Sequence, residues 1–176
     1  MKNILTAFLC LSVLLSAQAA QSASPKVGEK APMIDGKNQD GQSWKLSDAL
    51  GKKNVLLYFY PKDNTPGCTK EACGLRDRMS DLTKENVHVI GVSFDSAESH
   101  QKFIKEYNLN FPLLADTDGK IADAYGVRKE AGKNVARRVS FLIGKDGKIK
   151  HVTDSPSADV HLAEMKDAVA NLANKK

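Results

Sequence analysis

One stretch of the sequence joins a strand to a helix and carries two cysteines five residues apart. It reads Tyr58-Phe59-Tyr60-Pro61-Lys62-Asp63-Asn64-Thr65-Pro66-Gly67-Cys68-Thr69-Lys70-Glu71-Ala72-Cys73. The apolar run from Asn54 to Tyr60 is typical of a strand that is buried on both faces. Two prolines and a glycine end that strand, and apolar residues at intervals of three and four then predict a helix over residues 69–84. Cys68 therefore stands where the helix begins.

Apolar strands and amphipathic helices alternate along the rest of the chain. Strands are predicted at residues 87–94, 111–114, 139–143 and 149–152, and helices at 96–107, 121–125 and 159–172. An Asp-Gly turn at Asp146-Gly147 predicts that the last two strands form a hairpin. This order favours a mainly parallel sheet with an antiparallel addition. We therefore expect one α/β domain of thioredoxin-like architecture, with a central mixed sheet flanked by helices.

The composition is that of a folded domain. The chain has 176 residues, of which 41% are hydrophobic and 27% charged, and these shares exclude a disordered or collagen-like chain. The formal net charge of +5 is mild, and the basic residues form no long run interleaved with aromatic residues. We therefore expect a solvated surface and no nucleic-acid partner.

The N-terminus has the three parts of a secretory signal peptide. Lys2 supplies a positive charge, residues 4–15 are mostly apolar, and Ala17-Gln18-Ala19 fits the cleavage pattern. The apolar part is shorter than the roughly 20 residues that a membrane helix needs. We expect residues 1–19 to be removed and residues 20–176 to form one exported domain, periplasmic or secreted, that is not inserted in a membrane.

Cleavage would remove Cys10 and leave Cys68 and Cys73, in a compartment where disulfides persist. Free amides and the helix dipole stabilise an anion at a helix start, so they favour a thiolate at Cys68. Five residues of α-helix would separate the two Cα atoms by roughly 8.7 Å. A disulfide needs about 7 Å or less. The pair can bond only if the first turns unwind, which favours a redox cycle over a static disulfide.

The motif Pro61-x-x-x-Thr65-x-x-Cys68 resembles the active-site pattern of the peroxiredoxins. The longer stretch, with a second cysteine five residues later, is similar to the peroxiredoxin Q branch, also called the bacterioferritin comigratory protein type. The likeness runs from Val27 to the C-terminal helix. It implies a thiol-dependent peroxidase that reduces hydrogen peroxide and organic hydroperoxides in antioxidant defence.

The resemblance implies a role for each of five residues. Cys68 would be the peroxidatic cysteine, whose thiolate attacks the peroxide and becomes a sulfenic acid. Thr65 would hydrogen-bond the thiolate and the peroxide, Pro61 would shield the sulfur from water, and Arg138 would stabilise the developing negative charge. Cys73 would be the resolving cysteine that forms an intrachain disulfide with Cys68.

The resemblance also implies the partners. A thioredoxin-like dithiol would reduce the disulfide, and no metal or organic cofactor would be needed. Because both cysteines lie in one chain, it suggests a monomer.

Two other functions are compatible with a pair of cysteines in an exported domain of this kind. One is a thiol-disulfide oxidoreductase that acts on exported proteins, and the other is a copper-binding module of thioredoxin fold. The spacing of the cysteines fits neither pattern well. The four histidines lie in no recognisable ligand pattern and are expected at the surface: His88, His100, His151 and His161.

Two further charged residues stand near the motif or beside Arg138. Arg137 is an alternative to Arg138, but the Arg-x-Ser-Phe pattern and the alternation of the strand favour Arg138. Glu71 lies in the first turns of the helix, where the dipole favours an acidic residue. We therefore do not expect Glu71 to belong to the catalytic set.

Overall fold

The computed structural model describes residues 22–173, so the predicted signal peptide lies outside the described residues. The strands are β1 (Asp35–Lys37), β2 (Ser43–Lys45), β3 (Asn54–Phe59), β4 (Val87–Ser93), β5 (Leu113–Ala115), β6 (Val139–Ile143) and β7 (Ile149–Asp154). The helices are α1 (Leu46–Ala49), α2 (Pro66–Asp77), α3 (Met79–Lys84), α4 (Ala97–Tyr107), α5 (Lys120–Ala124) and α6 (Ala158–Ala173).

Five strands form a mixed central sheet in the order β5-β4-β3-β6-β7. β3 pairs in parallel with β4, and β4 with β5, whereas β6 runs antiparallel to both β3 and β7. β1 and β2 form a separate antiparallel hairpin. The expected fold, a thioredoxin-like mixed sheet flanked by helices, is confirmed.

The central strand β3 divides the core into two apolar layers. Side chains of a strand alternate between faces. Val55, Leu57 and Phe59 belong to one layer, and Leu56 and Tyr58 belong to the other. The second layer also contains Cys68 and the inner faces of α2 and α6. The functional helix is therefore held against one face of the sheet by apolar burial.

The helix predicted over residues 69–84 is two helices, and this prediction is wrong at both its start and its continuity. α2 begins at Pro66, whose fixed φ suits the first position of a helix. Arg78 then adopts φ −99° and ψ 4°, which ends α2 at Asp77, and α3 begins at Met79. The apolar spacing did not reveal the break because Leu75 and Leu82 pack into the same layer from either side of it.

No helix within residues 22–173 combines the length and the apolar composition that crossing a membrane requires.

Candidate active site

Cys68 is the third residue of α2, directly after the loop that follows β3. Its side chain is buried, with 1% of the residue exposed. Cys73 lies farther along the same helix and is partly buried, and both cysteines are free thiols. The intact helix therefore keeps the two sulfur atoms from bonding, in agreement with the helical geometry that the spacing implied.

Arg138 reaches the thiol from the neighbouring strand. It immediately precedes β6, and the register that pairs Phe59 with Val139 brings it to the end of β3 where Cys68 lies. Its Nη2 donates to Cys68 Sγ at 3.2 Å, and its Nε donates to the carbonyl of Pro156 at 3.1 Å. A guanidinium held at several of its donors presents the others in a fixed direction. Arg138 is thus a rigid cation against the thiol.

Gly67 provides the space for this contact. A Cβ atom at that position would lie 3.0 Å from Arg138 Nη2, which is tighter than ordinary van der Waals contact. A glycine next to Cys68 therefore allows the guanidinium to approach the first turn of α2, where a larger side chain would crowd it.

Glu71 is the site residue that the sequence analysis missed. It is 1% exposed, and its Oε2 accepts a hydrogen bond from Arg138 Nη1 at 2.5 Å. The expectation of a plain first-turn glutamate is wrong, because α2 turns the face that bears Cys68 toward the core. Residues three apart in a helix share a face. The spacing of Glu71 from Cys68 is thus the signal by which it could have been found.

A serine and a histidine lie behind Glu71. His161 Nε2 faces the carbonyl of Ser155 at 2.9 Å, so this nitrogen carries a proton, and Nδ1 lies 2.7 Å from Ser140 Oγ. The same Nδ1 is 3.5 Å from Glu71 Oε1, an oxygen that has no hydrogen-bond partner among the described residues. Burial lowers the pKa of His161. The expectation of a surface position is wrong for His161, which is 1% exposed because α6 packs this face against β6.

The electrostatic problem of the site is that one cation faces two acidic groups. The guanidinium of Arg138 contacts both Cys68 and Glu71. Burial raises the pKa of Glu71 to about 7, although the charge and the hydrogen bond of Arg138 act in the opposite direction. A proton on Glu71 leaves the cation to Cys68, and the loss of that proton adds an anion to the site.

Thr65 and Pro61 lie on the loop between β3 and α2. Thr65 is the residue before the first turn of α2, and its hydroxyl donates to the carbonyl of Lys62 at 3.0 Å. The expected hydrogen bond from Thr65 to the thiolate is not formed in this structure, because the single proton of the hydroxyl goes to Lys62. The lone pairs of Thr65 can accept a hydrogen bond from a peroxide O–H. Pro61 and Arg138 both line a cleft of about 240 Å³. The cleft lies beside the site, and Cys68 and Thr65 are not among the residues that line it.

Arg137 faces away from the thiol. It forms an ion pair with Asp154 on β7 and donates to the carbonyl of Gly126 at 3.1 Å. Both arginines precede β6 and line the same cleft, but their guanidinium groups have different partners. Of the two adjacent arginines, Arg138 is the one in contact with Cys68.

The geometry lends no support to a metal-binding module. Within residues 22–173, histidine, cysteine and acidic side chains nowhere gather in a group of three or more that could hold a metal ion.

The raised pKa of Glu71 predicts a pH-dependent stability. The folded protein holds the Glu71 proton more tightly than the unfolded chain does, so this contribution is full below the ordinary pKa and is lost as the pH rises through about 7. Urea unfolding of the reduced protein and of Glu71→Gln should show it. The free energy of unfolding of the native protein, relative to that of Glu71→Gln, should fall by about 2–3 kcal/mol between about pH 5 and about pH 8.

Glu164→Gln is the control for this experiment, because hydrogen bonds from Thr153 and His151 lower the pKa of Glu164. Its contribution should stay constant between about pH 5 and about pH 8, because a carboxyl with a lowered pKa loses stability only as the pH falls below the ordinary pKa. If the free energy of unfolding of the native protein relative to Glu71→Gln instead rose with pH, the attraction of Arg138 would outweigh burial in setting the pKa of Glu71.

Comparison with known proteins agrees with this site. Residues 27–152 match the AhpC/TSA family. Peroxiredoxin Bcp of Escherichia coli K12 is 45% identical over 141 residues, which are 77% of this chain and 90% of that protein.

Two solved structures share the fold. The crystal structure of peroxidoxin BcpB from Mycobacterium tuberculosis superposes with a TM-score of 0.79 at 34% identity, covering 86% of this chain and 99% of that one. A structure of Xanthomonas campestris bacterioferritin comigratory protein, described in terms of its alkyl peroxide reduction activity, superposes with a TM-score of 0.68 at 26% identity, covering 84% and 99%. A buried cysteine held by an arginine at a helix start, on this fold and with these relatives, shows that the chain belongs to the AhpC/TSA family as a peroxiredoxin of the Bcp type, a thiol peroxidase.

Proposed function

We propose that Cys68 is the peroxidatic cysteine and Cys73 the resolving cysteine of this peroxidase, and that a thioredoxin-like dithiol reduces the disulfide they form. The observation that carries the proposal is the contact of 3.2 Å between Arg138 Nη2 and Cys68 Sγ, in the first turn of a helix. A permanently charged donor and the free amides of the helix start both stabilise a thiolate there.

In the first step, the Cys68 thiolate attacks one oxygen of the peroxide. An S–O bond forms, the O–O bond breaks, and the second oxygen leaves as hydroxide or alkoxide, which takes a proton and becomes water or an alcohol. Negative charge spreads from the sulfur to the leaving oxygen during this step. Arg138 is already fixed beside that charge, which is the condition for electrostatic stabilisation of a transition state. Thr65 accepts a hydrogen bond from the peroxide and orients it.

In the second step, the Cys73 sulfur attacks the sulfur of the Cys68 sulfenic acid. An S–S bond forms, the S–O bond breaks, and water leaves. The first turns of α2 must unwind, because an intact helix holds the two Cα atoms roughly 8.7 Å apart. An external dithiol then reduces the disulfide and is itself oxidised. Since one helix carries both cysteines, the cycle needs no second copy of the chain, and we infer a monomer.

We propose hydrogen peroxide and organic hydroperoxides as substrates. The cleft between Pro61 and Arg138 continues over Ala136 and Pro156, so it offers apolar surface next to the charged groups. Such a cleft accommodates a small alkyl group on the peroxide. The activity described for the Xanthomonas campestris relative is the same kind of reaction.

Mass spectrometry tests the roles of the two cysteines. The reduced protein should react with one equivalent of hydrogen peroxide and lose two hydrogens, in a product whose peptides map to a Cys68–Cys73 disulfide. Cys68→Ser should consume no peroxide, since the nucleophile is gone. Cys73→Ser should stop at the sulfenic acid of Cys68. Normal turnover of Cys73→Ser with a dithiol would contradict the resolving role.

Arg138→Lys, paired with Arg137→Lys, tests the cation. Lysine keeps the charge but cannot serve Cys68, Glu71 and Pro156 at once. We expect kcat/KM for peroxide to fall by roughly 100-fold, as for the loss of one transition-state donor. Arg137→Lys alters a half-exposed ion pair and should change the rate by about twofold at most. Equal losses in both variants would refute the role of Arg138.

We also propose that the protein is exported after removal of residues 1–19. The support is the sequence itself: a positive start, a short apolar run and the Ala17-Gln18-Ala19 cleavage pattern. Export also suits an enzyme whose cycle passes through a disulfide.

Expression of the full chain in a Gram-negative bacterium tests export. The protein should appear in the periplasmic fraction, with Ala20 as its first residue by N-terminal sequencing. A control chain that consists of an initiator methionine and residues 20–176 should remain in the cytoplasm. Full-length protein that keeps Lys2 and stays in the cytoplasm would contradict the proposal.

A further inference from the structure

A second buried polar cluster surrounds Asp63, in the loop that carries Pro61 and Thr65. Asp63 is 5% exposed. Its Oδ1 accepts from the hydroxyl of Tyr60 at 2.8 Å, and its Oδ2 accepts from the hydroxyl of Ser99 at 2.7 Å. The same Oδ2 lies 2.9 Å from Nδ1 of His100. Three side chains therefore converge on one carboxylate, and two of them belong to α4.

The carboxylate is ionised at neutral pH. Burial by itself raises the pKa of Asp63, but the hydrogen bonds and the charge of its neighbours, chiefly His100, outweigh burial and lower it below the usual range. A buried charge is retained in a protein where it is paired and hydrogen-bonded, and this one is both.

His100 connects the cluster to β5, an edge strand of the central sheet. It is fully buried, so the expectation of a surface histidine is wrong for this residue too. Its Nε2 lies 3.2 Å from the carbonyl of Leu114 on β5, while its Nδ1 faces Asp63. The ring is thus held at both ends, between the sheet and the loop.

The loop backbone is fixed in the same place. The N–H of Asp63 donates to Asp95 Oδ2 at 2.9 Å, just after β4, and Asp95 also accepts from the hydroxyl of Ser93. The next residue, Asn64, adopts a left-handed conformation with φ 54°. A non-glycine residue in that region persists where its surroundings determine the backbone. The hydrogen bonds of Asp63, from its main chain and its side chain, fix the backbone at this point.

We propose that Asp63 and His100 are positioning residues of the peroxidase. They hold the loop between β3 and α2 so that Thr65 and Pro61 stay in place at Cys68. Their partners are Tyr60, just after β3, Asp95, just after β4, and groups on α4 and β5, and the proposed unwinding of α2 involves none of these. The cluster therefore also limits that unwinding to residues after Asp63. This inference rests on the proposed roles of Cys68 and Cys73.

Asp63→Asn, compared with Asp116→Asn, tests the proposal. An amide at position 63 turns one acceptor into a donor that faces other donors, so the loop should shift. The second-order rate constant for oxidation of Cys68 by hydrogen peroxide should fall roughly ten- to hundredfold, the scale of a displacement of about 1 Å at a reacting centre. The value of kcat/KM for the dithiol should stay within about twofold, because reduction of the disulfide does not use the peroxide site.

Asp116 is the matched control. It is also buried, at 3% exposed, but it accepts from the backbone N–H groups of Ile121 and Ala122. Asp116→Asn should lower the melting temperature without slowing the reaction with peroxide. Ser99→Ala and Tyr60→Phe each remove one donor to Asp63 without changing its charge, and each should slow the peroxide step several-fold. These two variants serve the test if Asp63→Asn does not fold.

Three outcomes separate the possible failures. If Asp63→Asn and its milder counterparts slow the peroxide step no more than Asp116→Asn does, the positioning role is refuted. If both half-reactions slow equally, the cluster acts only through general stability, and the proposal is again refuted. If the native protein is oxidised by peroxide at a residue other than Cys68, the proposed function itself fails.

Discussion

The site depends on the guanidinium of Arg138, which contacts two partners at once. One guanidinium, buried where β6 begins, contacts the thiol of Cys68 and the carboxylate of Glu71. Removing one partner of a buried charge pair costs about 3–5 kcal/mol, since the remaining charge is left without compensation. The guanidinium of Arg138 therefore both stabilises the fold and contacts the sulfur of Cys68. The protonation state of Glu71 determines how much of the guanidinium charge remains for that sulfur.

The sheet brings these groups together from distant parts of the chain. β3 lies in the centre, with β4 on one side and β6 on the other, so the loop after β3 meets residues from both neighbours. Arg138 reaches Cys68 from the residue just before β6. Asp63 bonds to Asp95, which follows β4, and to Ser99 and His100 on α4. Cys68 thus lies in the first turn of a helix whose preceding loop is fixed from both sides.

Local signals in the sequence predicted the elements and missed most of the buried polar contacts. The apolar run of β3, the hairpin of β6 and β7, and the position of Cys68 at a helix start follow from neighbouring residues, and each was foreseen. Glu71 is bonded to a residue 67 positions away, and Asp63 to one 37 positions away. No period or composition rule encodes such a pairing, so Glu71 was expected as a dipole-favoured residue and His100 as a surface residue.

In the proposed cycle the first turns of α2 unwind while the loop before the helix keeps its place. The contacts of α2 with solvent-facing groups are weak ones: Lys70 pairs with Asp159 on α6, and both side chains are more than half exposed. The loop before α2 is held by buried groups around Asp63, in a medium where a hydrogen bond to a charge is stronger. Opening of the first turns of α2 must break the contacts of Arg138 with Cys68 and Glu71, whereas the contacts around Asp63 can stay intact. Because the loop keeps its conformation, refolding of the helix restores the proposed peroxide site without any rearrangement of the loop.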